Sequence, residues 1–305
     1  MNQDGEHAFK RLDAQQLAAI RELADLCNEH DGIILKLNWD MLQDRKDDAI
    51  IAFLYYAGGQ VVGFLGLYQF LSSEVEVSGM VHPQYRRQGI FGKLVRAAQE
   101  ECIRRNTGKL IFICERRSDS GRAYAESAGA RYNFSEYWMQ LGGWNEAALS
   151  GTPDAEIALR KAEASDIEIL TRLSADGFGM DEADARDYVE ASFQSRADTA
   201  YIADLRPLNG KPLPIGKIHV MLEEGVAFIF GFCILSQHRK RGYGRRILQH
   251  MLHLIRERHE AADAALEVAV ENENALGLYT SCGFRIRNAN DYYDLDLPAG
   301  KPRTE

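Results

Sequence analysis

A chain of 305 residues, 46% hydrophobic and 27% charged, is long enough for two globular domains and is neither disordered nor fibrous in composition. Its formal net charge of -9 argues against a general nucleic-acid binder, which needs a basic face. No apolar run reaches the length of a membrane-spanning helix.

The opening MNQDGEHAFKRLDAQQ has no apolar core of the kind a secretory signal needs, so a cytoplasmic location is expected. LDAQQLAAIRELADLCNEH then reads as a helix. AIIAFLYYA, QVVGFLGLYQF and EVEVSGMVH read as strands. After the turn YRRQGIFG, the segment GKLVRAAQEECIRR puts Leu94, Val95, Ala98 and Cys102 on one helical face. The strand KLIFICE, a short helix and EYWMQL close this half. Asn145–Glu156 is small and polar, holds Gly151 and Pro153, and reads as a linker.

The same order then repeats. VHPQYRRQGIFGKLV echoes ILSQHRKRGYGRRIL, with Arg86 aligned to Arg239 and Gly89 to Gly242 at an offset of 153. ESAGARY echoes TSCGFRI, with Gly129 aligned to Gly283 at an offset of 154. Two markers at nearly one offset predict a duplicated domain, 1–148 and 156–305. The second half contains the acidic segment SADGFGMDEADARDYVEASF, with Asp181, Glu182, Asp184 and Asp187. It also has the strand FIFGFCIL, a helix facing inward through Ile247, Leu248, Met251, Leu252 and Ile255, the strand LEVAV, and a final strand DYYDLDL. Strands alternating with helices predict, for each half, a mixed sheet with helices packed against it: an α/β (α+β) fold, duplicated. The five cysteines (Cys27, Cys102, Cys114, Cys233, Cys282) form no CxxC pair, which predicts reduced thiols and no metal site.

The chemistry concentrates where strand, R-x-x-G-x-G turn and helix meet. Helix starts expose unpaired backbone N–H groups at the positive end of the macrodipole, and glycines let that backbone approach an anion. Arg239, Lys240, Arg241, Gly242, Tyr243, Gly244 and Arg245 are therefore a candidate diphosphate site. No GxxxxGK[ST] run occurs, and Ile247 stands where a dinucleotide fingerprint needs its third glycine.

Downstream, ENENALGLYTSCGF carries N-x-x-A-x-x-L-Y-x-x-x-G-F. Turn and downstream run together resemble the GNAT superfamily of acyl-CoA-dependent N-acetyltransferases, over nearly the whole chain. The resemblance implies that each central sheet is mostly antiparallel, that acetyl-CoA is the cofactor and that a small-molecule or peptide amine is the acceptor, with no nucleic-acid or membrane partner. It implies that the turn holds the coenzyme A diphosphate and that the backbone of Cys233, Ile234 and Leu235 meets the pantetheine arm. It further implies that Asn272 orients cofactor or loop, with a helix cap as its alternative, and that Tyr279 protonates the departing thiolate. In the first half, Val81, Arg86, Arg87, Gln88, Gly89, Ile90 and Gly92 form a second candidate cofactor site. There Phe91 replaces Gly244 and Ala125 replaces Tyr279, while Tyr124 is offset by one residue, about 100° on a helix, and is not expected to be an equivalent acid. The first domain is thus expected to be degenerate and the second catalytic. Glu74 and Glu76 share a strand face and are candidate bases or a solvated surface; Glu223 and Glu224 are candidates in the second half. The contrasting reading is a non-catalytic acyl-CoA-binding module.

Overall fold

A computed structural model describes residues 4–43, 48–144, 156–194, 198–206, 211–223, 225–258 and 261–298. Most of the linker and Glu224 lie outside these residues. The chain forms two compact units. Unit 1 contains the residues up to Glu136 together with those from Asn288 onward; unit 2 is Tyr137–Arg287.

Unit 1 is built from β1 (Gly5–Phe9), α1 (Ala14–Asp31), α2 (Trp39–Gln43), β2 (Ala52–Ala57), β3 (Gln60–Leu71), β4 (Glu74–Val81), α3 (Ile90–Arg104), β5 (Lys109–Glu115) and α4 (Asp119–Ser127). Helix α1 starts at a capping box, in which the Asp13 carboxylate accepts from the Gln16 amide and Gln16 answers the Asp13 amide. The strand β6 (Arg131–Gln140) carries the chain from unit 1 into unit 2.

Unit 2 contains β7 (Ile157–Lys161), α5 (Ile167–Phe178), α6 (Glu182–Gln194), β8 (Asp198–Leu205), β9 (Leu213–Glu223), β10 (Val226–Ile234), α7 (Tyr243–Glu257), β11 (Asp263–Ala269) and α8 (Glu273–Ser281). The last strand, β12 (Arg285–Asp296), crosses back at Arg287/Asn288. Its residues Asn290–Asp296 pair antiparallel with β5 and bury Asn290, Tyr292 and Tyr293.

The units therefore differ from the linear halves 1–148 and 156–305. Residues 137–144 belong with the second unit, and the described residues from 288 on belong with the first. The reason is strand pairing: β12 completes the unit 1 sheet in the order β1-β2-β3-β4-β5-β12.

In unit 2 the order is β11-β10-β9-β8-β7. Neighbouring strands pair antiparallel except β4–β5 and β10–β11, which are parallel. One core of unit 2 packs Ile247, Leu248, Met251, Leu252 and Ile255 of α7 against Ala227 and Ile229 of β10 and Leu266 and Val268 of β11. All five α7 residues are buried, as their spacing predicts, and each contributes ~1.5–3 kcal/mol. The opposite sheet face meets α5 and α6, through Leu173 on Cys233 and Leu235 and through Tyr188 on His219.

Candidate functional site

The two glycine turns have matching backbones. Arg86 (φ -68, ψ 161) and Arg239 (φ -67, ψ 162) are extended. Arg87 and Lys240 both adopt positive φ (62 and 60), as do Gly89 (77) and Gly242 (81). Successive turn residues of this kind aim backbone N–H groups into one concavity. Gly89 and Gly242 are the N-caps of α3 and α7 and lack side-chain capping bonds, so the first-turn amides of both helices stay open to an anion. A coenzyme A diphosphate fits this donor set.

Arg86 and Arg239 each brace their turn. Arg86 Nε donates to the Val81 carbonyl at 3.0 Å, and its two terminal nitrogens clasp Asp31 at 2.8 and 2.7 Å. Arg239 repeats this: Nε donates to the Ile234 carbonyl at 2.9 Å and Nη2 to the Asp176 carbonyl at 3.2 Å. Asp176 also accepts from the Ser236 amide at 2.7 Å. Each guanidinium ties strand end, turn and helix together. Lys240, Arg241 and Arg245 are exposed cations of the second turn, as is Arg239.

Both parallel strand pairs open beside their turn. Pairing of β4 with β5 ends at Val77–Phe112, although β4 runs to Val81 and β5 to Glu115. Pairing of β10 with β11 ends at Ile229–Leu266, although the strands run to Ile234 and Ala269. The Leu235 amide donates to Ile215 at 2.9 Å, so by antiparallel alternation the Ile234 amide faces the opening. Of Cys233, Ile234 and Leu235, Ile234 is thus the residue whose N–H remains available there. Cys233 is buried, with its thiol donating to the Leu173 carbonyl at 3.2 Å.

A constant offset mismatches the strands. Between Phe230 and Cys233, β10 carries one more residue than β9, a bulge centred on Gly231 and Phe232. Gly231 has φ 54, and a Cβ there would lie 3.0 Å from the His219 ring and 3.1 Å from the Tyr188 hydroxyl. Before the bulge the offset is 152, so Glu74 and Glu76 match Val226 and Phe228 instead of Ala227 and Ile229. The two glutamates lie where β4 is still paired, at its start, with Glu74 3.8 Å from Lys109 Nζ. They do not line the cleft of unit 1. Glu223 pairs with Val226 at the far end of β10.

Glu267 was missed. It is the first β11 residue beyond the last β10–β11 pair, and it is half-buried. Leu266 and Val268 point into the α7 core, so Glu267 points to the α5/α6 face. Alternation in LEVAV sets Glu267 apart from Leu266 and Val268 without marking it as functional, and only the end of pairing distinguishes it. Tyr279 approaches from the α7 side, 8% exposed and edge-on to Phe284 at 6.2 Å. Burial pushes its hydroxyl up to about 12, so it stays protonated at neutral pH. Asn272 caps α8, accepting from the Ala275 amide at 3.1 Å, and Ser118 caps α4 likewise at 3.2 Å.

In unit 1 a cleft of about 410 Å³ lies against the first turn. Gly79, Val81, Arg86, Arg87, Gly89, Ile90 and Gly92 line it, as does Tyr124. The Tyr124 ring meets Phe91 edge-on at 4.6 Å, and burial raises its hydroxyl. Phe91 packs on that tyrosine and leaves the cleft open. At the opening of β4 and β5, however, Ile113 stands where unit 2 has Glu267. Ala125, fully buried, stands where unit 2 has Tyr279.

Unit 2 also buries a titratable chain beneath α5 and α6. His219 Nδ1 lies 3.1 Å from both Asp198 carboxylate oxygens, and Lys217 Nζ lies 3.3 Å from His219 Nε2. Asp198 can only accept, so Nδ1 carries the proton and Nε2 accepts from the ammonium. Lys217 also sits over the rings of Tyr188 at 4.8 Å and Phe178 at 5.5 Å. Desolvation lowers Lys217 to about 8 and lowers His219 as well.

No helix among the described residues is long and apolar enough to cross a membrane. Among the described residues no cluster of His, Cys, Asp and Glu could hold a metal ion. Over 102 residues the chain is 30% identical to a [ribosomal protein bS18]-alanine N-acetyltransferase of Escherichia coli (strain K12), covering 33% of this chain and 67% of that relative. It is 28% identical over 117 residues to an N-alpha-acetyltransferase of Sulfurisphaera tokodaii, covering 35% of this chain and 65% of the relative. A GCN5-related N-acetyltransferase from Sphaerobacter thermophilus shares the fold with a TM-score of 0.76 at 17% identity, over 99% of this chain and 98% of that one. A tandem GNAT protein from the clavulanic acid biosynthesis pathway does so with a TM-score of 0.71 at 17% identity, over 96% and 98%. The model of the Acetyltransferase (GNAT) family matches residues 17–129 and again 167–284. The chain therefore belongs to the GNAT family, as an N-acetyltransferase with two such domains.

Proposed function

We propose that unit 2 transfers an acetyl group from acetyl-CoA to an amine by direct attack, and that unit 1 binds acyl-CoA without turnover. The observation that carries this is the contrast at the two strand openings. Unit 2 has a carboxylate, Glu267, and a phenol, Tyr279, on opposite sides of the sheet, where unit 1 has Ile113 and Ala125. Acetyl-CoA, when bound, supplies the activated acyl thioester. The amides of Tyr243, Gly244 and Arg245 hold its diphosphate, and Arg239 keeps them in place through Ile234 and Asp176. The Ile234 amide faces the opening and donates to the thioester carbonyl, stabilising the negative charge that develops there. Glu267 takes the proton that the incoming ammonium must lose. Tyr279 holds a proton at neutral pH and gives it to the departing sulfur.

The test is thiol release from acetyl-CoA across a panel of amines. Glu267→Gln is expected to lower kcat by about 10²–10⁴-fold while coenzyme A binding is retained. Full turnover by Glu267→Gln across pH would refute the assignment. So would turnover that survives Gly242→Glu but is lost with Gly89→Glu.

A further inference from the structure

The α5/α6 face of unit 2 carries a continuous row of rings beside Glu267. Trp138 stacks on Phe228 at 5.7 Å, Phe228 on Phe230 at 6.0 Å, Phe230 meets His219 at 5.2 Å, and His219 meets Tyr188 at 6.2 Å. Trp138, Phe228, Phe230 and Tyr188 are all half-buried, each keeping part of its surface open. Alternation accounts for the row: Met139, Ala227 and Ile229 point into the α7 core, so Trp138, Phe228 and Phe230 point the other way.

The row reaches the site because the bulge stops pairing where it does. Phe230 is the first β10 residue past the last pair, and Glu267 is the first on β11. An aromatic ring and a carboxylate therefore flank the apex of the opening on one face. His219 ends the row in a fixed orientation, held by Asp198 on one side and Lys217 on the other. Unit 1 differs at the matching positions: Ser78 and Ile113 occupy the two apex positions, Glu76 stands in place of Phe228, and the stacked pair there is Phe134 on Tyr292 at 4.3 Å. Above this face, the first turn of α6 carries Glu182 and Asp184, and Asp181 precedes it. Like-charge crowding by Asp181 raises the Asp184 carboxyl.

Resting on the assignment of chemistry to unit 2, the geometry points to an acceptor whose ammonium is carried on a short arm from an aromatic ring, an arylalkylamine. Glu267 receives the ammonium at the apex. Phe230 and Phe228 receive the ring, which stacks along the row toward Trp138. Ring-on-ring contacts favour such an acceptor over an aliphatic amine of equal charge, and a saturated ring gains burial without the stacking geometry.

Thiol release from acetyl-CoA by the full chain is measured with 2-phenylethylamine, 2-cyclohexylethylamine and n-butylamine. The expected result is a kcat/KM for 2-phenylethylamine at least about tenfold above either of the others, expressed in KM. Phe230→Leu and Phe228→Leu, which keep an apolar side chain at these half-buried positions, are expected to collapse that ratio toward unity. Equal handling of all three amines, or of the phenyl and cyclohexyl compounds, would overturn the substrate class while leaving unit 2 as the site of transfer. A preference that persists unchanged in both leucine variants would overturn the role of the row. Thiol release that survives Glu267→Gln with the preference intact would sink the underlying assignment itself.

Discussion

Lys217 gives a sharp test of the electrostatics beneath the acceptor face. Its side chain is fully buried, and desolvation lowers its pKa from 10.5 to about 8 against the opposing attraction of Asp198. A lysine whose folded pKa is depressed destabilises the fold while it is charged. That penalty is fully present below about pH 8. It is relieved between about pH 8 and 10.5, where the unfolded chain holds the proton and the folded chain does not. A shift of roughly 2.5 units corresponds to ~3 kcal/mol at 1.36 kcal/mol per unit. Lys217→Met keeps the length and removes the charge, at the cost of leaving His219 Nε2 without its donor, a pH-independent loss of ~1–3 kcal/mol above the histidine's own titration. The assay is urea unfolding followed by tryptophan fluorescence, Trp138 and Trp144 lying in unit 2. The stability of the wild type relative to Lys217→Met should rise by ~3 kcal/mol from about pH 7 to about pH 10.5. Parallel profiles for the two proteins would refute the reasoning, because every other titrating group is common to both.

On the acid side, burial lowers His219 below 6.5, so the folded chain resists protonation that the unfolded chain accepts. Unit 2 should lose stability as pH falls through about 6.5, and His219→Gln should flatten that limb in the same urea series. Asn272→Ala removes the α8 cap and should cost ~1 kcal/mol, with Asn272→Ser restoring most of it in thermal unfolding. Arg86 acts through Asp31, so Asp31→Asn should weaken coenzyme A binding to unit 1 by calorimetry. An arginine that served as a phosphate ligand would instead be released and bind more tightly. Tyr124→Phe should leave turnover unchanged while Tyr279→Phe lowers it by about 10²–10⁴-fold in the thiol assay.

The legible parts of this protein are those written in local pattern. The inward face of α7 follows from the spacing of Ile247, Leu248, Met251, Leu252 and Ile255. Both turns follow from arginine and glycine at one offset. The exchange of final strands is not legible, because DYYDLDL is an adequate last strand for either sheet. Its place is decided by pairing with β5, almost two hundred residues away in sequence. The bracing by Arg86 and Arg239 is hidden for a related reason. A positive charge beside two glycines suggests an anion, while the carbonyls of Val81 and Ile234 that claim those guanidiniums are visible only once the chain is folded.

The bulge shows how little sequence separates two copies of one fold with different strand openings. One extra residue in β10 lets Phe228 and Phe230 face α5 and α6 while the residues past the bulge, Cys233 and Ile234, keep the register that β9 imposes. Without it, a one-residue slip would turn the rings into the α7 core and bring Ala227 and Ile229 to the acceptor side. β4 has no bulge at the equivalent place, so unit 1 keeps its turn and its cleft but presents Ser78 and Ile113 at the opening. Holding an acyl-CoA needs only the backbone amides that both turns possess. Transferring its acyl group needs a proton acceptor and a proton donor at the apex, and in the mechanism proposed above Glu267 and Tyr279 meet that need where unit 1 has Ile113 and Ala125.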